Sequence, residues 1–343
     1  MRRNGGTMSS DNSEKIMTIH DVARELGVSA STVSRAISGK GRIGDATRKR
    51  VMDYIEEHGF YPNAAAQSLA QSKTYNIAII LPEVKTLVDM PFFHTCMYGV
   101  EEVAQANDYD IIVVITNGKD IRPLERLISN RKVDGMILTR TYQDDYFVRF
   151  LKEKQIPFVT VGKTTEEGMF QVDHDNAGAC RELVSVLLSK GIRRIAYLGG
   201  NMAQMVNLSR LEGYREAFKK FEKKVDENII YTDLTNKVLV EKAVDELLKK
   251  EVDCILCQDD CICDEVVRKL ARENVSIPDQ MKVASCHYSR VLENYPVTIT
   301  SLKFDTTELG RKACQVLLDR INNKQVSNMT LLDYEISLKE STK

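Results

Sequence analysis

From Tyr75 onward the chain carries short unbroken apolar runs: N-I-A-I-I-L-P at 76–82, D-I-I-V-V-I-T at 110–116, V-D-G-M-I-L-T at 133–139 and P-F-V-T-V-G-K at 157–163. A strand with one wet face alternates apolar and polar residues, whereas an unbroken run needs cover on both sides. Amphipathic stretches at 92–108, 124–129 and 146–153 supply that cover. The pattern therefore predicts an α/β fold with a doubly wound parallel sheet. The same grammar restarts with helices at 176–190, 210–221, 239–249 and 261–273 between the runs R-I-A-Y-L-G-G, N-I-I-Y, V-D-C-I-L-C and M-K-V-A-S-C. V-D-G-M-I-L and V-D-C-I-L-C echo one another at equivalent steps, which predicts two similar lobes. A helix at 307–322 and a strand-like L-L-D-Y-E-I-S-L close the chain and are expected to return to the two lobes in turn. The expected division is 75–172 plus 303–327 for one lobe and 173–302 plus 328–343 for the other. A cleft at the carboxyl ends of the strands is where small ligands bind in such sheets.

Ahead of this lies a different grammar. At 343 residues two or three cores are expected. M-T-I-H-D-V-A-R-E-L-G-V-S-A-S-T-V-S-R-A-I-S-G, at 17–39, reads as two short helices joined by a tight turn. Thr18 and Asp21 have capping-box spacing, Ile19, Val22, Ala23 and Leu26 form one apolar stripe, and Gly27 supplies the left-handed stop. Ser29 caps the second helix and Val33, Ala36 and Ile37 form its buried stripe, leaving Ser31, Thr32, Ser34 and Arg35 exposed. Short hydroxyls suit phosphates, and a planar fork such as that of Arg35 suits a guanine edge in the major groove. Asp45 is expected to cap a third helix with the basic run Arg48-Lys49-Arg50. After Pro62, Asn63 caps a short alanine-rich helix too brief to persist alone in water. Folded in a minor groove, it would place Leu69 as an apolar wedge between base pairs. The expected limits are a disordered extension at 1–16, a helix-turn-helix head at 17–62 and a hinge at 63–74. Residues 17–74 carry eight Lys/Arg against six Asp/Glu in a chain of net charge −1. The head thus holds a small positive excess, so two copies are expected to be needed for firm DNA binding.

T-I-H-D-V-A, G-V-S-A-S-T-V-S-R, T-R-K-R-V and Y-P-N-A-A-A-Q-S-L, in this order and spacing, closely resemble the lactose-repressor family of bacterial regulators. The body is similar to the periplasmic-binding-protein-like core of the same family, and the resemblance covers nearly the whole chain. It implies a homodimer that binds a palindromic double-stranded DNA operator and answers to a small-molecule effector. It implies DNA contacts from Thr18, Ser29, Ala30, Ser31, Thr32, Ser34 and Arg35, and from Asn63, Ala65 and Leu69 of the hinge. Ala64 and Gln67 depart from the arginine-bearing hinge common in the family.

For the cleft, the resemblance implies an aromatic contact from Phe92 or Phe93, although core packing explains one of them equally well. Lys163 ends the fourth strand where the sheet opens. In V-D-H-D-N-A-G-A, Asp175 would accept ligand hydroxyls, with Asp173 second and helix capping the ordinary alternative. Arg210 matches the family arginine that reaches the effector, and at the start of its helix it would oppose the dipole. Gln258 or Asp259 would supply acceptors. Where the family often has G-F-D-D, this chain has Ser285-Cys286-His287-Tyr288, so His287 stands in for an acid. T-N-G-K-D, P-F-V-T-V-G-K and V-D-H-D-N look most like the maltose-operon repressors of Gram-positive bacteria, which makes a sugar, first an α-glucoside, the expected effector.

Other classes fit less well. No G-x-G-x-x-G follows the first strand, and neither G-x-x-x-x-G-K-S/T nor G-x-S-x-G is present, so neither an enzyme nor a cofactor is expected. Cys254 and Cys257 fall on opposite faces of a strand, which disfavours a metal and suits buried free thiols in a reducing cytosol. No apolar run approaches 18 residues and the first residues lack a secretory signal, so a cytoplasmic protein without membrane contact is expected. The alternatives are a transporter's solute-binding protein, permitted by the body but opposed by the head, and a regulator controlled by a phosphorylated protein corepressor.

Overall fold

A computed structural model of the chain describes residues 17–39, 41–60, 73–83 and 91–343. The expected extension at 1–16 and the hinge helix with Asn63, Ala65 and Leu69 lie outside the described residues. The chain divides into two units, residues 1–74 and 75–343.

In the first unit, α1 (Ile19–Leu26) starts at a full capping box: Asp21 N–H donates to Thr18 Oγ1 at 3.3 Å and Thr18 N–H to Asp21 Oδ2 at 3.0 Å. Gly27 ends α1 at φ +62°, a conformation that penalises any Cβ. α2 (Ala30–Ser38) is capped by Ser29, whose hydroxyl accepts from Thr32 N–H at 3.1 Å. α3 (Asp45–Glu57) departs from expectation at its start. Gly44 is the N-cap and Asp45 the first helical residue, so its charge acts on the helix dipole without a capping hydrogen bond. Val22, Ala23, Val33, Ala36, Val51 and Phe60 form the small core. The basic run of α3 is partly structural, because Arg50 donates to Leu26 O at 2.6 Å and pins α3 to the end of α1.

The second unit holds two six-stranded sheets. In chain order the strands are β1 (Asn76–Pro82), β2 (Asp110–Thr116), β3 (Gly135–Leu138), β4 (Phe158–Val161), β5 (Gln171–His174), β6 (Ile195–Leu198), β7 (Ile230–Tyr231), β8 (Cys254–Cys257), β9 (Lys282–Ser285), β10 (Thr300–Phe304), β11 (Met329–Leu332) and β12 (Tyr334–Ser337). The helices are α4 (Pro91–Gln105), α5 (Arg122–Ser129), α6 (Tyr146–Glu153), α7 (Asn176–Ser189), α8 (Met205–Lys220), α9 (Lys237–Leu247), α10 (Asp260–Arg272) and α11 (Thr306–Ile321). The first sheet runs β11-β5-β4-β3-β1-β2 and the second β12-β10-β9-β8-β6-β7. All neighbours pair in parallel except β10 and β12, which are antiparallel. β3 and β8, the two echoing runs, occupy the same place in their sheets.

The central strands are covered on both faces, as unbroken apolar runs require, whereas the edge strand β2 leaves Val113 47% and Ile115 51% exposed. Ile77, Ile79 and Leu81 of β1 enter a core with α4 and α11, while Ala78 and Ile80 enter another with α5 and α6. In β8, Cys254 and Cys257 belong to opposite cores, and every cysteine of the chain is a free thiol. Each lobe joins two helices through a glycine. A Cβ on Gly99 would lie 1.9 Å from Thr307 O, bringing α4 against α11, and one on Gly213 would lie 2.1 Å from Ala177 O, bringing α8 against α7.

Strand pairing moves the expected lobe boundaries. β5 pairs with β4 and β11, so the first lobe extends to His174 instead of ending at 172. β10 pairs with β9, so the return crossing comes after Phe304 instead of before 303. The stretch L-L-D-Y-E-I-S-L is two strands: β11 completes the first sheet and β12 the second, with Asp333 between them. A continuous apolar run does not reveal which sheet takes its hydrogen bonds. Where the lobes meet, Thr141–Gln143 lies antiparallel to Ala203–Met205. Gln143 N–H donates to Ala203 O at 2.9 Å and Met205 N–H to Thr141 O at 3.1 Å.

Candidate functional site

The head offers one candidate surface. Val33 and Ala36 bury one side of α2, and Ser31, Ser34 and Arg35 are exposed on the other. Ala30 and Thr32 are half-buried, and Thr18 and Ser29 are exposed at the helix starts. The Ser29 hydroxyl lies 2.8 Å from those of Ser31 and Thr32, a cluster of small donors at the start of α2. Such a face, with a long planar donor beside it, has the chemistry to meet phosphates and a base edge.

The second unit offers a cavity of about 130 Å³ between the lobes. Its walls are the carboxyl ends of β3, β4 and β5 in the first lobe and of β8, β9 and β10 in the second, together with the first turns of α4, α8 and α10. Aromatic groups form a row along it. Phe93 and Phe92 meet edge to face at 5.2 Å, Phe92 lies 6.1 Å from the His287 ring, and His287 stacks on Phe304 at 6.1 Å. Phe93 is also part of the first-lobe core, whereas Phe92 is only half-buried.

Of the expected ligand residues, Phe92, Phe93, Arg210, Asp259 and His287 line the cavity, and Lys163, Asp175 and Gln258 do not. Asp175 is the N-cap of α7, its Oδ1 accepting from Gly178 N–H at 2.9 Å. The capping alternative therefore describes it. Asp173, two residues earlier at the end of β5, faces the cavity instead. Lys163 lies close enough to Asp173 for its charge to help hold that carboxyl down against burial. Gln258 accepts from Gly200 N–H at 2.6 Å and donates to Asn207 Oδ1, bracing the second-lobe wall from behind. Asp259 caps α10, accepting from Ile262 N–H at 2.9 Å.

Arg210 does not open its helix. α8 begins at Met205, so the dipole argument for Arg210 fails. It is 7% exposed, with Nε donating to Asn176 Oδ1 at 3.1 Å and Nη1 to Gln258 O at 2.9 Å, and its guanidinium lies 5.9 Å from the Phe304 ring. His287 Nδ1 lies 3.2 Å from Asp260 Oδ1. Burial alone would raise the Asp260 pKa, but the His287 hydrogen bond and charge hold it below the ordinary carboxylate value. Burial pushes Asp173 up to about 6 against the donors around it, and raises Asp259 with help from the neighbouring Asp260. His174, also at the end of β5, is pushed down to about 4 by burial, then by His287 and Arg210, and its Nε2 has no hydrogen-bond partner.

Sequence reasoning did not pick out Arg140, His174, Asn176, Asn207, Asp260 or Phe304, all of which line the cavity. For Arg140 a signal existed: a charged residue two positions beyond a buried four-residue strand. Phe304 gave none, because the sequence shows no clear strand at 300–304 and assigns residue 304 to the first lobe. Asp259, Asp260 and Cys261 bring three potential metal ligands within 4.8 Å, but Asp259 is committed to capping and Asp260 to His287.

Residues 74–334 match the family described as periplasmic binding proteins and sugar binding domain of LacI family, and residues 18–63 match bacterial regulatory proteins, lacI family. The HTH-type transcriptional regulator MalR of Streptococcus pneumoniae is 33% identical over 334 residues, covering 93% of this chain and 98% of MalR. CelR of Thermobifida fusca is 30% identical over 335 residues, covering 94% and 98%. A solved CelR–cellobiose complex superposes with a TM-score of 0.72 at 27% identity, over 95% of this chain and 99% of that one. The Lac repressor dimer bound to operator and the anti-inducer ONPF shares the fold, with a TM-score of 0.78 at 18% identity over 96% and 99% of the two chains. Matched in both its head and its two-lobed core, and similar along its length to helix-turn-helix transcriptional regulators, the chain belongs to the LacI family of bacterial regulatory proteins.

Proposed function

We propose that the protein is a cytoplasmic transcriptional repressor that binds a palindromic operator as a homodimer, with its DNA affinity set by a small sugar in the cleft. The observation that carries this reading is α2, packed on one side and presenting Ser31, Ser34 and Arg35 on the other, in the same chain as a polar, aromatic-lined cleft. Arg35 is the base-reading residue, the neighbouring hydroxyls hold phosphates, and Leu69 is the minor-groove wedge. In the cleft Phe92, Arg210, Asp173 and Asp259 face the ligand, and an α-glucoside is the first choice. The solved complex of the relative CelR with cellobiose supports a glucose disaccharide. Such a ligand changes DNA affinity only by binding one lobe arrangement better than another. No catalytic step is assigned.

The test is binding of the purified protein to a pool of palindromic duplexes with a central C-G step, against random duplex, with and without maltose, cellobiose and further sugars. Preference for one palindrome, altered by one sugar, is the expected result. Arg35→Ala and Leu69→Ala should each weaken operator binding, by about tenfold or more for a lost bidentate base contact. Full affinity in both variants would overturn the assignment of the head. Preference without any effect of these sugars keeps the repressor reading and moves the search to phosphosugars or a protein corepressor, and no preference over random DNA at physiological salt returns the chain to a solute-binding role.

A further inference from the structure

The two arginines of the cleft are unequally partnered. Arg210 has two protein acceptors, Asn176 Oδ1 and Gln258 O. Arg140, from the first lobe, has its guanidinium 5.1 Å from the Phe93 ring centroid, and the charge of Asp259 acts on it from across the cavity. Among the described residues, the one ion pair within the cavity lining is His287–Asp260, so no carboxylate stands within ion-pair distance of Arg140. The remaining acids are already served. Asp259 accepts from Ile262 N–H at 2.9 Å, and Asp173 accepts from His174 N–H at 2.8 Å and Asn176 Nδ2 at 3.0 Å. On the same wall His174 is 3% exposed and its Nε2 is unpartnered.

A largely buried guanidinium whose counter-charge, Asp259, stands beyond ion-pair distance is incompletely compensated, and its planar fork fits the paired oxygens of a carboxylate or phosphate. The hydroxyls of a neutral sugar satisfy hydrogen bonds but add no charge to that compensation. We propose that the ligand of this cleft is a sugar bearing an anionic group, a phosphate ester or a carboxylate, held by Arg140 with His174 as a second polar contact. The inference rests on the cleft being a sugar site, as proposed above. The aromatic row receives the apolar face of the sugar ring, and Arg140, beside Phe93 at the first-lobe end of the row, receives the acid.

Calorimetric titration of the full chain with glucose, glucose 6-phosphate, glucuronate, maltose, maltose 6′-phosphate and inorganic phosphate tests this, at low and at physiological ionic strength. The expected result is an acidic sugar bound at least about tenfold more tightly than its neutral parent, with the advantage shrinking as salt rises. The ester and the uronate identify which acid is read. Arg140→Gln should bring acidic and neutral forms to equal affinity, and Arg140→Lys should restore part of the difference. The wild-type panel decides the matter even where a variant fails to fold. A neutral sugar bound as tightly as its acidic derivative overturns the inference, as does inorganic phosphate bound as well as any sugar ester. Operator binding measured on the same samples separates the two readings. A neutral sugar that alters operator affinity overturns the acidic ligand and leaves the regulator standing, whereas absence of operator preference counts against the regulator itself.

Discussion

The two lobes share one plan and use it differently. Strand order matches position by position, a glycine brings two helices together in each, and an arginine–glutamate pair spans each helix pair from outside: Arg311–Glu102 at 2.6 Å in the first lobe and Arg181–Glu216 at 2.8 Å in the second. Their contributions to the cavity differ. The second lobe's polar groups are interlocked, Arg210 with Asn176 and Gln258, Gln258 with Asn207, Asp260 with His287. Among the described residues, the first lobe presents Arg140 in no ion pair and His174 with its Nε2 unpartnered. Duplicated architecture therefore fixes where the walls stand, and the residues at the strand ends decide which wall is complete before a ligand arrives.

The strongest test of the shared plan is at the glycines. Gly99→Ala and Gly213→Ala each drive a Cβ into a backbone oxygen, and each should lower stability in urea unfolding by about 3 kcal/mol. A large disparity between them would break the equivalence of the lobes. Acid stability comes next. His174 keeps a folded-state pKa of about 4 against an ordinary 6.5, so the native state resists protonating it and loses about 3 kcal/mol as pH falls between those values. Asp173, at about 6 against an ordinary 3.8, works in reverse: the native state binds its proton more readily and gains about 3 kcal/mol as pH falls through that window. The two nearly cancel between pH 6 and 4. Asp173→Asn should therefore make the protein acid-labile in that window and His174→Gln acid-stabilised, read as the shift of urea midpoint between pH 6.5 and 4.

Gln258→Leu tests the interlocking of the second lobe. It strands Gly200 N–H and the Asn207 side chain, and should cost about 2 kcal/mol of unfolding free energy. Retention of full stability would show that the network is not what holds that wall. The smallest effects belong to the outer pairs. Arg311→Ala and Arg181→Ala should each change stability by less than about 1 kcal/mol, because both pairs are solvent-exposed.

Much of this molecule is legible in its sequence, for identifiable reasons. The central strands β1, β3, β4, β6 and β8 declare themselves because burial on two faces leaves little room for polar residues, whereas β5 (Q-V-D-H) and β10 (T-S-L-K-F) do not; the head declares itself because caps and turns demand particular residues, such as Thr18, Gly27 and Ser29. The lobe boundaries were illegible. Asp333 separates strands of two different sheets, yet a change of sheet has no composition of its own. In V-D-H-D-N, Asp175 and Asp173 are equally plausible ligands on paper, and only the start of α7 commits the first to Gly178 N–H and leaves the second facing the cavity. Arg210 fell in the cleft although the dipole argument for it failed, because the true start of α8 lies before the apolar periodicity that suggested it.

The contact joining Thr141–Gln143 to Ala203–Met205 is made by peptide groups alone. No substitution short of proline removes its donors, and no particular side chain is required to form it. A lineage is thereby free to exchange the residues that face the ligand, one effector for another, while inheriting this junction between the lobes unchanged. Specificity and closure are in this sense separately heritable, which suits a scaffold that serves many regulators.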